Sequence, residues 1–163
     1  MSDESAEMII QVNSGDSKAR GTPQAFSTDL PYPIVLDNKE EYEVCVFDIQ
    51  FNDRQRPAGN PPYLSVYVNS NLVNGNTIIG SQTTNAVMWI SWTHLYSDSI
   101  SINAGAYYTV YLTTEKNRKW YPLANLTQIK TVDVSLTLST GVPIPFNSGL
   151  DFTSISFAIR KKQ

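Results

Sequence analysis

The chain has 163 residues and a formal net charge of −3, which is enough sequence for one domain with a hydrophobic core. A pI of about 5.0 argues against nucleic acid as a specific ligand, because no excess of Lys and Arg is present. One Cys and one His exclude an intramolecular disulfide and a Cys/His zinc cage. Ser, Thr and Asn number 17, 14 and 13, and these small polar side chains favour strands and turns over helices.

Hydrophobic residues alternate with polar ones along most of the chain, and no stretch of a dozen residues has the 3.6-residue period of an amphipathic helix. Most runs have one apolar face, which is typical of antiparallel strands packed on one side. Prolines such as Pro31, Pro33 and Pro122 fall at the expected breaks between runs. In chain order, the alternation predicts strands over residues 8–12, 26–30, 34–36, 42–51, 63–68, 87–92, 107–112, 132–139 and 154–159.

Residues 42–51 differ from the other runs because both of their faces are partly apolar. Cys45 and Ile49 fall on one face of an ideal strand, and Val44 falls on the other. This pattern predicts a central strand that is covered on both sides. Eight or nine strands with this spacing predict an all-β fold, either a sandwich or a barrel.

Asn74 and Gly75 form a strong hairpin signal, because this pair suits a two-residue type I′ turn. The pair lies between two short apolar stretches and predicts a small insertion at the rim. After the run over residues 132–139, Gly141 is expected to allow a turn. No repeat or boundary is evident, so we expect a single domain over residues 1–163, with short charged tails at about 1–7 and 160–163.

The residues that usually carry catalysis are too few or too scattered to predict an active site. His94 is the single imidazole and lies at the end of an apolar run, which favours a structural or rim position. Cys45 has no cationic neighbour in sequence and is interpreted as a small buried hydrophobe. Asp48, inside an apolar strand, is interpreted as a hydrogen-bonded structural carboxylate. We therefore expect no enzyme, no cofactor and no metal site.

Aromatic residues are the stronger candidates for binding, since the chain has nine Tyr, six Phe and three Trp. Tyr63 and Tyr67 fall on a strand face assigned outward, as do Tyr107 and Tyr111. Such rows can be core beneath a second layer, a subunit interface or a platform on which sugar rings or bases stack. The sequence leaves these three alternatives open.

Two further segments are candidate contacts. Trp120 and Tyr121 lie in a charged loop, where a partner or ligand can reach them. Arg160, Lys161 and Lys162 end the chain with positive charge. A basic tail of this kind is either solvated or docks onto a neighbouring subunit or nucleic acid.

Two blocks of sequence carry a family resemblance. Residues 26–36 read FSTDLPYPIVL and lead into residues 42–51, which read YEVCVFDIQF. Near the end, a strand is followed by TGVPIPFNSG and by a final strand with basic residues. These blocks, residues 13–52 and 134–160, resemble virus-derived jelly-roll proteins. The family comprises the penton-like and minor capsid proteins of Polinton/Maverick elements, virophages and their adenovirus-like relatives, although Phe47 and Asp48 stand where it more often has Leu and Glu.

The resemblance implies a single jelly-roll-like antiparallel β-sandwich and a structural role in the virion of a DNA virus. The protein would then self-associate as a homo-oligomer, a pentamer if penton-like, and contact other capsid subunits. Assembly inside the host cell, without a secretory signal or membrane insertion, is expected. Two alternatives remain open: a carbohydrate- or receptor-binding β module, such as a fibre-head domain with Trp120 as its contact, and a small glycan-active enzyme.

Overall fold

A computed structural model of the protein describes residues 7–53, 65–75, 77–79, 82–91, 108–113, 118–138, 140–143 and 152–163. The regular structure within these ranges is entirely β-strand. The strands form two antiparallel sheets of five strands and a third sheet of two. The all-β prediction is thereby confirmed, and the two larger sheets are consistent with the predicted sandwich.

Twelve strands lie in the described ranges, and the eight longest correspond to the runs predicted from alternation. The other four strands are short, with two to four residues each. In chain order the strands are β1 (Met8–Asn13), β2 (Ala19–Thr22), β3 (Ala25–Val35), β4 (Tyr42–Asp53), β5 (Ser65–Ser70), β6 (Thr77–Ile79), β7 (Gln82–Thr84), β8 (Ala86–Ser91), β9 (Tyr108–Thr113), β10 (Tyr121–Pro122), β11 (Gln128–Leu138) and β12 (Thr153–Lys161).

The longer strands pair in a nested order that joins the two halves of the chain. The first pairs with the last, β1 with β12, and then β3 pairs with β11, β4 with β9 and β5 with β8. Strand β12 also pairs with β4, and β11 also pairs with β5, so these strand pairs are joined into two sheets. Sheet A therefore has the order β1-β12-β4, with β9 and β10 both against β4, and sheet B has the order β2-β3-β11-β5-β8.

The hydrophobic core contains inward side chains from both sheets in one continuous cluster. In sheet B, Val66, Val68 and Leu136 have no solvent exposure, whereas Tyr67 is half-buried on the opposite face of β5. The predicted alternation is confirmed for these strands. In β12, by contrast, Ala158 is as deeply buried as the core residues, so the second face of this strand is covered as well.

The central strand β4 is buried on both faces at its first half, as predicted, but its faces are assigned differently. The register of β4 against β12 skips Phe47, because Ser156 pairs with Asp48 and Phe157 pairs with Val46. This bulge reverses the alternation, so Val44 and Ile49 lie on the same inner face. The assignment of Cys45 to the face of Ile49 was wrong, because a pattern of alternation cannot reveal an inserted residue.

Two predictions about the region of β3 were wrong: that it holds two strands, and that its prolines separate them. Residues 26–30 and 34–36 were expected to be separate strands broken by prolines, but Ala25–Val35 is a single strand. Ile34 pairs with Ile129 and Asp29 pairs with Thr131, so the four residues 30–33 lie opposite a single residue of β11. Pro31 and Pro33 fall inside this bulge, where the ladder does not require their missing N–H groups.

The hairpin prediction at Asn74 and Gly75 was also wrong. Neither residue has the positive φ that a type I′ turn requires, and the hairpin lies further along the chain, where β6 pairs with β7. The role of Gly141 is confirmed: its φ is 81°, and its N–H donates to the carbonyl of Leu138 at 2.9 Å. The chain thus turns sharply at the end of β11.

Candidate functional site

Five of the nine residues predicted as contacts come together at one end of sheet A. Antiparallel pairing places Arg160 opposite Glu43 and Lys161 opposite Tyr42, and β10 places Tyr121 opposite Val44. The C-terminal tail therefore lies beside the turn that connects β3 to β4. We call this group the end cluster; it consists of Glu40, Glu41, Glu43, Trp120, Tyr121, Arg160, Lys161 and Lys162.

Arg160 is the best-anchored residue of the end cluster. Its Nε and Nη2 atoms lie 2.7 and 2.6 Å from Oε1 of Glu43, and both side chains are about three-quarters or more buried. Its guanidinium carbon lies 3.9 Å from the centre of the Trp120 ring. The ion pair holds the guanidinium over the indole, and the cation–π contact covers one ring face. Trp120 therefore does not offer both faces to a ligand.

The two lysines of the tail pair with glutamates of the same chain. Lys161 Nζ lies 3.2 Å from Glu40, and Lys162 Nζ lies 2.8 Å from Glu41. Hydrogen bonding and then charge attraction raise the pKa of both lysines, and they lower the pKa of Glu41. All of these side chains are largely exposed, so the pairs add little stability and salt weakens them.

The segment before β10 brings further charge over the outer face of sheet A. Arg118 lies 3.3 Å from Glu7, and Lys119 Nζ lies 5.3 Å from the centre of the Tyr121 ring. Beneath them, Cys45 is fully buried. Burial raises the pKa of its thiol to about 11, and Arg118 opposes this shift. The interpretation of Cys45 as a small buried hydrophobe is confirmed, since a thiol of this kind is protonated at neutral pH.

A cavity of about 490 Å³ adjoins the end cluster, between the β3–β4 turn and the segment after β10. Its lining includes Asp37, Tyr42, Leu123, Thr127 and Lys162. The backbone N–H of Asp37 donates to the Tyr42 hydroxyl at 3.3 Å, which closes the turn on one side. No group of three His, Cys, Asp or Glu side chains in the described ranges is arranged to hold a metal ion.

The exposed end of β3 lies beside this cavity. Tyr32 and Val35 are 72% and 79% exposed, and Leu126 is 36% exposed. The backbone N–H of Leu36 donates to the carbonyl of Thr127 at 3.0 Å, which brings the Leu126 segment next to the end of β3. We call Tyr32, Val35 and Leu126 the apolar trio. It lies at the same end of the molecule as the end cluster, because β3 leads directly into the turn that carries Glu40 and Glu41.

Tyr67 lies far from the end cluster in the fold, on the outer face of sheet B. This face is polar and internally bonded: Arg20 contacts Asp29 at 2.6 Å, and the Thr131 hydroxyl donates to Asp29 at 2.9 Å. Hydrogen bonding from Arg20, then from Thr131, lowers the pKa of Asp29 to about 2. A shallow depression of about 400 Å³ on this face is lined by Arg20, Ser27, Asn69, Asn71 and Asp133, among others.

Asn71 has a structural role on this face that the sequence does not predict. Its amide Nδ2 donates to the carbonyl of Thr131, and its Oδ1 accepts from the N–H of Asp133, both at 2.9 Å. The side chain thereby adds one more rung to the β5–β11 ladder after the backbone of β5 has ended at Ser70. No sequence signal distinguishes this Asn from the other twelve, since the register of β5 against β11 decides its role.

The remaining predicted residues lie partly outside what the structure describes. Tyr63, Tyr107 and His94 lie outside the described ranges, and Tyr111 is described only as a backbone position of β9, opposite Gln50. Asp48 is half-buried in β4, opposite Ser156.

The sequence matches no model of a known protein family, and no curated protein matches it significantly. Within the described ranges, no helix has the length and apolar character needed to cross a membrane.

Proposed function

We propose that this protein is a structural component of a virion, a penton-like or minor capsid protein that acts by self-association and contact with other capsid subunits. The observation that carries the proposal is the nested strand order. In a jelly roll, one long antiparallel hairpin wraps into two sheets, so the first strand pairs with the last and the later pairs nest inside. The pairs β1·β12, β3·β11, β4·β9 and β5·β8 follow this order.

The resemblance to capsid proteins gains support from where its two blocks lie. The first block spans β2, β3 and all but the last residue of β4, and the second includes the later half of β11 and all but the last residue of β12. These strands are direct partners, since β3 pairs with β11 and β4 pairs with β12. The two blocks therefore contribute strands that pair directly with each other.

The apolar trio and the end cluster supply a surface of the kind that subunit contacts use. Tyr32 and Val35 expose apolar area, and the charged groups of the end cluster lie around the same end. Interfaces combine an apolar, aromatic centre with a polar rim, and this arrangement has both. The carbohydrate-binding alternative relied on Trp120, but a sugar on the Arg160 side of the ring would have to displace the guanidinium.

The test uses the full chain and a pair of matched variants. Size-exclusion chromatography with light scattering measures self-association, and co-expression with the other capsid proteins of the same virus measures entry into particles. We expect Val35→Asp to reduce entry into particles, because it puts a charge into the contact. Val142→Asp is the control. Val142 is also exposed, at 55%, but it lies beside Leu138 at the opposite end of β11 from Val35. A chain that never enters particles would refute the proposal, whether or not it self-associates in solution.

A further inference from the structure

Among the strands that the structure describes, β1 lies at an edge of sheet A, and its backbone bonding groups can be assigned residue by residue. The backbone N–H of Ser14 donates to the carbonyl of Thr153 at 2.9 Å, one position beyond the pair Asn13 and Ser154. In an antiparallel ladder this bond makes Asn13 and Ser154 a non-hydrogen-bonded pair. The pairing of β1 with β12 has no register shift, so the backbones of Ile10 and Val12 bond to β12.

The backbones of Ile9 and Gln11 consequently point away from β12, toward the open side of β1. Within the described ranges, neither residue has a backbone hydrogen bond on that side. The carbonyl of Asn13 also points there but already accepts from Asp16 at 3.1 Å. The edge therefore presents two adjacent donor and acceptor sets, on Ile9 and Gln11, which is the requirement for adding another strand.

A second edge of the same protein shows how such an edge is normally protected. Strand β2 pairs with β3 only as far as Thr28, so the rest of β3 has β11 on one side alone. That free stretch carries Pro31, Pro33 and a four-residue bulge, all of which prevent pairing with another strand. Strand β1 reads MIIQVN, with no proline, no charge and no bulge. The difference indicates that the β1 edge has an occupant.

We propose that this occupant is β1 of a second copy of the chain, paired antiparallel across a two-fold axis at Ile10. In this register Ile9 of each copy lies opposite Gln11 of the other, so all four free bonding sets are used. The inner residues also match: Met8 lies opposite Val12, and Ile10 lies opposite Ile10. Because Met8, Ile10 and Val12 belong to or pack on the core, the two sandwiches share a continuous apolar layer.

The self-complementarity of the strand is what favours a second copy over another partner. Positions 8–12 of β1 each find a chemically suitable residue when the same strand is rotated by two-fold symmetry, and Asn13 falls opposite Glu7. The edge is also uncharged, so pairing does not bring together like charges of a chain with net charge −3. The outer face contributes Ile9, which is 53% exposed and gains a neighbour in Gln11 of the other copy.

The proposed register can be tested by placing charges at positions 9 and 11, which are both exposed on the outer face. Ile9→Lys combined with Gln11→Lys places like charges directly opposite each other at two points, and should raise the dimer dissociation constant roughly 10- to 30-fold. Ile9→Glu combined with Gln11→Lys places opposite charges at the same points, and should keep it within about threefold. The control, Gln128→Lys combined with Val142→Lys, adds two charges at exposed positions outside β1.

Sedimentation velocity of the purified full chain over a concentration series measures the dissociation constants, and circular dichroism verifies that each variant folds. Amide hydrogen exchange gives a second readout. Ile9 and Gln11 should become protected as concentration rises, whereas Ile10 and Val12 are protected at all concentrations. A monomeric wild-type chain, equal dimerisation of the two charge variants, or unchanged exchange at Ile9 and Gln11 would each overturn the proposal.

The dimer does not rest on the virion role. It is measured on the isolated chain, whereas the virion role is measured by entry into particles. A dimeric chain that never enters particles refutes only the proposed function. A chain that enters particles but stays monomeric in solution, with no protection at β1, refutes only the β1 dimer.

Discussion

Replacing Asn71 tests whether a side chain can extend a β-ladder. The Asn71 amide bonds both the carbonyl of Thr131 and the N–H of Asp133 at 2.9 Å, and the residue is half-buried. Asn71→Ala removes both bonds and leaves no side-chain group within reach. Asn71→Asp keeps the acceptor for Asp133 but replaces the donor with an oxygen that faces the carbonyl of Thr131. The two variants therefore separate loss of both bonds from loss of one.

The expected magnitude follows from the exposure of the groups left behind. A net contribution of about 1 kcal/mol per hydrogen bond gives a loss of about 2 kcal/mol for Asn71→Ala. Asp133 is exposed, so water can replace part of the bonding and the loss stays near this value. Asn71→Asp should lose about 1–2 kcal/mol, because one bond is kept while two oxygens are brought together. The control Asn125→Ala, at an exposed turn position, should change stability by less than about 0.5 kcal/mol.

Urea unfolding monitored by tryptophan fluorescence measures these differences. For an m-value of about 2 kcal/mol/M, the midpoint of Asn71→Ala should fall by about 1 M. Hydrogen exchange localises the effect: the amide of Asp133 should lose protection, whereas that of Leu136, which donates to the carbonyl of Gln24 at 2.7 Å, should not. An unchanged midpoint together with unchanged exchange at Asp133 would refute the ladder role of Asn71.

Three further predictions concern other buried or charged groups. A double-mutant cycle of Arg160→Ala and Glu43→Ala should give a coupling energy of about 1–2 kcal/mol in urea unfolding, between the values of exposed and fully buried pairs; a coupling near zero would contradict the anchoring of Arg160. Thr153→Val should raise stability by about 1 kcal/mol, because the Thr153 hydroxyl is buried without a hydrogen-bond partner in the described ranges; a lower melting temperature would contradict this. Asp29 has a folded pKa of about 2, below its ordinary 3.8, so its contribution to stability is present above pH 3.8 and is lost as the pH falls toward 2. Asp29→Asn, which also loses the ion pair with Arg20, should flatten the stability profile over that window; an unchanged acid profile would count against the pair.

The alternation in the sequence predicts well which side of a strand is buried, but it does not predict where a strand is irregular. Alternation is enough for Val66, Val68 and Leu136, because burial of one face imposes a period of two. The bulge at Phe47 leaves no such trace, since Val44, Cys45 and Val46 before it are all apolar and either assignment of faces looks acceptable. The bulge around Pro31 was read as a strand end, because proline signals a break in a strand and a bulge in the same way.

In the candidate site, too, the sequence identifies single residues but does not predict the contacts between them. The sequence singles out Arg160 and Trp120 separately, as a tail residue and as a loop residue. It does not predict that they stack, because their contact depends on the register of β12 against β4. Glu40, Glu41 and Glu43 become partners of the tail only because nested pairing returns the last strand to the beginning of β4.

The C-terminal tail contains two kinds of cation, and this limits how it can dock. Arg160 contacts Glu43 through Nε and Nη2 and lies over the Trp120 ring, so a partner would have to break three contacts to recruit it. Lys161 and Lys162 are about half exposed and each pairs with one glutamate through a single nitrogen. Such pairs exchange readily and weaken with salt, so a more acidic surface can take over the lysines while Arg160 keeps β12 in place. The part of the predicted tail contact that is available to a partner is therefore Lys161 and Lys162.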